Sequence, residues 1–153
     1  MIEKLNHREP ITAKAMLAVQ LPAYRIEADI IGFDDIPPLR DTAETIMASE
    51  ETFVGYWLEE ELAGFISYEL DEHQLGICRM VVHPQYFRRG IAKGLLSYVL
   101  TGAGEQKRIT VSTGAKNEPA KALYRSFRFT DAGEIEVAPE VSLALFELPA
   151  IRQ

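Results

Sequence analysis

Between Leu75 and Thr113 the hydrophobic period changes twice, and this limits the fold more than any other feature of the chain. Leu75 to Val82 reads as a strand, and Pro84 closes it. From Ile91 the apolar residues fall at helical spacing: Ile91, Leu95 and Val99 form one stripe, Ala92, Leu96 and Leu100 another. Gly102 and Gly104 are placed to end that helix. Lys107 to Thr113 then alternates again, with Ile109 and Val111 on one side. Strand, helix and strand in this order imply two parallel strands joined by a right-handed crossover.

The flanking segments decide what kind of sheet holds that pair. Upstream, Phe53–Leu58, Leu62–Leu70 and Leu75–Val82 are separated by the short polar breaks Glu59-Glu60-Glu61 and Asp71-Glu72-His73-Gln74, the pattern of an antiparallel meander. Downstream, Asn117 is an N-cap for a helix whose apolar face is Ala120, Leu123, Tyr124 and Phe127. Phe129–Val137 and Val141–Leu148 then form a hairpin. The N-terminal third reads as helical. Pro10 opens a run from Ile11 to Leu21 that Pro22 is expected to stop, and a second helix is expected over Asp41–Ala48. Ala23 to Pro38 has no clear period and is expected to be a structured loop or a bent helix. The sum is a mixed α/β fold, a mostly antiparallel sheet of about six to seven strands flanked by about four helices. At 153 residues, one domain over 1–153 is expected.

Composition removes several classes of function. The formal net charge is −7, so binding to nucleic acid or an anionic membrane is not expected. A single cysteine, Cys78, excludes a disulfide framework, and between apolar neighbours it is expected in the core. No two of His7, His73 and His83 share a metal-ligand spacing, so no metal site is expected. No apolar stretch approaches the roughly 20 residues of a membrane helix, and the first ten residues contain no signal-like apolar run. A cytoplasmic location is the expectation. A homodimer is the default assembly, since two-fold dimers are the commonest.

The chemistry points to one stretch, Val81-Val82-His83-Pro84-Gln85-Tyr86-Phe87-Arg88-Arg89-Gly90-Ile91-Ala92-Lys93. A strand ends, a short basic loop follows, and a glycine opens an amphipathic helix. The first N–H groups of that helix lack intrahelical partners and carry partial positive charge. Arg88, Arg89 and Lys93 add formal charge, and Gly90 lets an anion approach the backbone. The combination is that of a phosphate or pyrophosphate cradle. A sharp turn with solvated arginines is the plain alternative.

This stretch resembles the acetyl-CoA signature of the GNAT superfamily of N-acetyltransferases, Q/R-x-x-G-x-G/A. Arg88, Arg89, Gly90, Ile91 and Ala92 fit it, with V-V-H-P before and K-G-L-L after, while Phe87 stands where Gln or Arg is usual. Asn117-Glu118-Pro119-Ala120-Lys121-Ala122-Leu123-Tyr124 is similar to the superfamily's later segment, N-x-x-A-x-x-L-Y, although Arg128 replaces the usual glycine before Phe129.

The resemblance implies a GNAT-like fold in which the strands Leu75–Val82 and Lys107–Thr113 splay into a cleft for acetyl-CoA, a co-substrate. Pantetheine would lie against the backbone near Met80, Val81 and Val82. The pyrophosphate would sit on the Arg88–Lys93 loop, and Phe87, Arg88, Arg89, Gly90, Ile91, Ala92 and Lys93 would all be cofactor-binding. An acceptor amine would attack the thioester directly. Tyr124 would be the general acid toward the departing thiolate, although its place on an apolar stripe equally suits core packing. Asn117 would bond the cofactor's amide-rich arm, cap its helix, or do both. The backbone N–H of Val82 would be the oxyanion donor. Glu69, Glu60 and His83 are considered as general base and none is assigned. On the acceptor side, Glu27, Asp29, Asp34 and Asp35, with Tyr24 and Phe33, suit a small cationic amine. They equally suit a solvated loop. A non-catalytic CoA-binding module and a protein N-terminal or lysine acetyltransferase are the other readings.

Overall fold

The computed structural model describes residues 1–150. Seven strands form one sheet: β1 (Ile2–Lys4), β2 (Thr52–Leu58), β3 (Glu61–Leu70), β4 (Gln74–Val82), β5 (Arg108–Gly114), β6 (Thr130–Ala138) and β7 (Val141–Leu148). Their spatial order is β1-β2-β3-β4-β5-β7-β6. The helices are α1 (Pro10–Ile31), α2 (Ala43–Ala48), α3 (Ile91–Thr101) and α4 (Glu118–Ser126). Every strand pair is antiparallel except β4 with β5, the pair that the period changes required.

The two faces of the sheet carry separate cores. On one, Ile91, Leu95, Leu96 and Val99 of α3 and Tyr124 of α4 pack on Ile66, Leu75, Ile77, Ile109 and Phe146. On the other, Ala13, Met16 and Val19 of α1 and Ile46 of α2 pack on Phe53, Phe65 and Val81. Each fully buried side chain of this size stabilises by about 1.5–3 kcal/mol.

The N-terminal third departs from expectation in two ways. Pro22 does not end the first helix, and α1 continues through Ala23 to Ile31, where Gly32 (φ +71°) caps it in the left-handed conformation. An interior proline removes one backbone hydrogen bond and costs about 3 kcal/mol. Burial of Met16, Val19 and Gln20 before it, and of Ala28 and Ile31 after it, offsets that loss. Only 32–36 remains non-helical before a 3-10 turn over Pro37–Arg40. The second departure is β1, a three-residue edge strand on β2 that carries no periodic signal of its own.

A β-bulge is the third departure. Ser67 pairs with Arg79 and Tyr68 with Ile77, so Cys78 is an extra residue in β4. The bulge reverses the alternation: Leu75 and Ile77 face α3, whereas Arg79 and Val81 face α1. It also corrects the expectation for Cys78, which is exposed rather than core, with its thiol 3.5 Å from a Glu69 carboxylate oxygen. Desolvation, with Glu51 and Glu69 adding, pushes the thiol up to about 12, so it is protonated at neutral pH and no nucleophile.

Candidate active site

β4 and β5 pair only from Gln74–Gly76 to Arg108–Thr110. Beyond Gly76, β4 runs on to Val82 bonded to β3 alone, while β5 runs on to Gly114 bonded to β7. The strands separate, and the backbone of β4 facing the gap has no strand partner. A cavity of about 690 Å³ opens there, within the usual range for small-molecule sites. Met80 and Val82 of β4, the start of α3, α4 and the second half of α1 line it.

The mouth is cationic. The loop after the Pro84–Tyr86 3-10 turn places two residues in the left-handed region, Arg88 (φ +66°) and Gly90 (φ +75°). Gly90 is the N-cap of α3, whose first internal bond runs from Gly94 N–H to Gly90 O. The amides of Ile91, Ala92 and Lys93 therefore have no helical acceptor. A Cβ at Gly90 would meet nothing within 4 Å. Conformation, not lack of space, is what requires glycine. Arg88 and Lys93 line the cavity and have no charged partner among the described residues. Arg89 is turned elsewhere, its guanidinium 5.4 Å from the centre of the Tyr86 ring. Phe87 lines the rim, 45% exposed. Ile91, Ala92 and Lys93 also line the cavity, whereas Val81 is in the core on the opposite face of the sheet.

The inner end is where α1, β5 and α4 meet. Gly114 allows this: a Cβ there would lie 2.4 Å from Ile31 Cγ2, so only glycine lets the last turn of α1 approach β5 so closely. Glu27 of α1 thereby reaches Asn117, whose Nδ2 donates to Glu27 Oε1 at 2.9 Å, and the Thr113 side chain gives a second bond. The other end of the Asn117 side chain caps α4, Oδ1 accepting from Ala120 N–H at 3.3 Å. Both ends of its amide are thus engaged within the protein, and Asn117 also lines the cavity.

Burial raises the Glu27 carboxyl above its ordinary value and outweighs the two donors, which lower it. Tyr24 and Tyr124 are raised by burial first and by the Glu27 charge next. Tyr24 lines the cavity, whereas Tyr124 does not. The Tyr124 ring is 3% exposed and stacks edge-on with Phe129 at 5.5 Å, so the aromatic part is core. Both hydroxyls stay protonated at neutral pH.

Of the four carboxylates assigned to the acceptor wall, only Glu27 is in the cavity. Asp29, on α1, and Asp34, beyond its Gly32 cap, are exposed, and Asp35 pairs with Arg40 at 2.9 Å. Phe33 packs against Ala28, Ile31 and Ile36. Glu69 and Glu60 are exposed and away from the cavity, and His83 Nδ1 accepts from Gln85 N–H. The contribution of Tyr24 and Glu27 to one wall was hidden by reading Pro22 as a stop. Their spacing of three is the helical signal that could have found it.

The sheet thus opens at its one parallel pair, with the N-terminus of α3 and two cations without charged partners at the mouth. The acetyltransferase (GNAT) family description matches residues 14–129, and the chain belongs to that family. The UPF0157 protein YqkA of Bacillus subtilis (strain 168) is 45% identical over 148 residues, 97% of this chain. The match covers 43% of that relative, so the chain spans less than half its length. Among solved structures, the ribosomal-protein-S18-alanine N-acetyltransferase of Escherichia coli aligns at TM-score 0.78 with 17% identity, over 100% of this chain and 95% of its own. The structure of yncA from Salmonella typhimurium, solved with its cofactor acetyl-CoA, aligns at 0.74 with 14% identity, over 100% and 95%. An aminoglycoside 6'-N-acetyltransferase complexed with coenzyme A aligns at 0.73 with 14% identity, over 100% and 98%. At these identities the structural likeness speaks for the fold. No described helix is long and apolar enough to cross a membrane.

Proposed function

We propose that this chain is an N-acetyltransferase that moves the acetyl group of acetyl-CoA to a primary amine of a small-molecule acceptor, by direct attack while both substrates are bound. One observation carries the reading. Two cations without charged partners and the free amides of α3 meet at the mouth of a cavity walled by unpaired β4 backbone. A doubly charged pyrophosphate fits the mouth, and an extended amide-bearing chain fits the strand gap. Acetyl-CoA supplies an activated acyl carbon whose leaving group is a thiol with a solution pKa near 8.5.

The protein's part is binding and placement. Arg88, Lys93 and the α3 amides hold the anion. Phe87, Ile91 and Ala92 flank it, and Met80 and Val82 offer backbone groups to the pantetheine arm. The Val82 N–H is the oxyanion donor. We assign the donor toward the sulfur to the Tyr124 hydroxyl, which lies near enough to Glu27 at the inner end of the cavity to feel its charge although the ring is not part of the cavity wall. Since its pKa lies above that of a thiol, it stabilises the thiolate by a hydrogen bond rather than by complete transfer, a modest effect.

The test is thiol release from acetyl-CoA with a panel of primary amines, together with a thermal-shift titration with CoA. Amine-dependent release and a CoA-dependent rise in melting temperature are expected. A protein that binds CoA but releases no thiol with any amine is a binding module, and the catalytic reading ends there.

A further inference from the structure

We infer that Glu27 is the general base of this site, taking the proton that the acceptor amine loses as it attacks. The inference rests on the acetyltransferase reading and goes beyond it, since that reading names no base.

Glu27 is the one carboxylate among the described residues lining the cavity. It sits on the α1 wall, whereas the amides and cations that suit the cofactor lie on the Arg88 loop and the first turn of α3. The two donors that fix it, Asn117 Nδ2 and the Thr113 side chain, occupy part of a carboxylate's roughly four acceptor positions. Acceptor capacity therefore remains for an amine N–H. The groups facing it are the Tyr24 hydroxyl on its own helix, the Tyr124 hydroxyl on α4, Asn117 at the start of α4 and Thr113 on β5. No cation is paired with it among the described residues. A carboxylate held by neutral donors in a desolvated pocket keeps its basicity, whereas a salt-bridged one does not.

The step balances. The neutral amine nitrogen forms a C–N bond to the acetyl carbonyl carbon, and the C–S bond breaks with its electron pair on sulfur. One N–H proton passes to Glu27. The thiolate, hydrogen-bonded by Tyr124, is protonated on release, and Glu27 returns its proton to solvent. The sum is an amine plus a thioester giving an amide plus a thiol. Asn117 is on this account a positioning residue, aiming the carboxylate while capping α4.

The experiment uses Glu27→Gln, which keeps shape and hydrogen bonding, with the exposed Asp29→Asn as a control. Across pH 5–9, kcat/KM for amine-dependent thiol release should fall by about 10²–10⁴ in Glu27→Gln, and the acidic limb of the wild-type profile should disappear. Asp29→Asn should match wild type, and CoA should raise the melting temperature of all three proteins alike. An active Glu27→Gln enzyme with the wild-type acidic limb would overturn the proposal while leaving the acetyltransferase reading intact. Wild-type protein that releases no thiol with any amine would sink both.

A second readout needs no substrate. The Glu27 value is raised on folding, so the stability it contributes is fully present below the ordinary carboxylate value and lost as pH rises through the raised one. The urea midpoint of Glu27→Gln should therefore gain on that of wild type as pH rises from about 4 to 7. Parallel midpoints across that range would show that Glu27 is an ordinary solvated carboxylate, and the proposal would fail.

Discussion

Arg79 and Arg88 stand nine residues apart in the sequence and are put to opposite uses. Arg79, with its side chain 12% exposed, has its guanidinium engaged within the protein. Its Nε and Nη2 bind Glu51 at 3.1 and 3.2 Å, and its Nη1 reaches Asp41 at 2.8 Å and Gln20 at 2.9 Å. That network ties α1 and β4 to the end of the Pro37–Arg40 turn and to the residue that leads into β2. Arg88 has no such partner, lies in an exposed loop with a left-handed backbone, and faces a cavity. The difference teaches how to separate architecture from function in an acidic protein: a cation engaged by several internal acceptors holds the fold, and one without a charged partner at a cavity mouth is available to an anion.

The comparison breaks most visibly through stability. Arg79→Met leaves the partly buried Glu51 and Asp41 without their cation and should destabilise by about 3 kcal/mol in urea denaturation. Arg88→Met should stay within about 0.5 kcal/mol of wild type while weakening CoA. Equal destabilisation by the two would erase the distinction.

Tyr124→Phe comes next. It keeps the buried ring, so the fold and CoA affinity should hold while kcat drops by about tenfold or more. Unchanged turnover in a folded Phe variant would make Tyr124 core alone.

Phe87→Gln restores the residue type usual in the signature. If backbone groups do the binding, CoA affinity should change by less than about 1.4 kcal/mol, a factor of ten. A larger loss in a titration would mean that the exposed ring itself packs on the cofactor.

Smallest of all is the double change Asp34→Asn with Asp35→Asn. Both residues lie outside the cavity, so acceptor KM should not move. A rise would return them to the acceptor wall.

These predictions also mark what the sequence could and could not convey. The crossover around α3, the meander and the closing hairpin were legible because each rests on a period or a cap that local chemistry imposes. The start of α3 at Gly90 and the cations beside it were legible for the same reason, since a helix start and its charges are local. What escaped depended on contacts between distant segments. α1 passes through Pro22 because packing on both sides outweighs a local cost. The bulge at Cys78 is a matter of register between two strands. Glu27 becomes part of a site only because Gly114, far along the chain, lets Ile31 approach. Composition could not distinguish the half-buried Glu27, which was not among the bases considered, from the exposed Glu60 and Glu69, which were.

On the proposed reading, the left-handed turn at Gly90 aims the α3 amides at the anion of CoA. The most direct test is a calorimetric titration of wild type and Gly90→Val with CoA. A valine at φ +75° is strained whatever the space around it, so the turn must change. Wild type should bind, with a stabilisation of about 2.7 kcal/mol at a hundredfold excess over Kd, and the folded variant, checked by circular dichroism, should not. Equal affinity in the two proteins would place the CoA anion elsewhere and contradict the account.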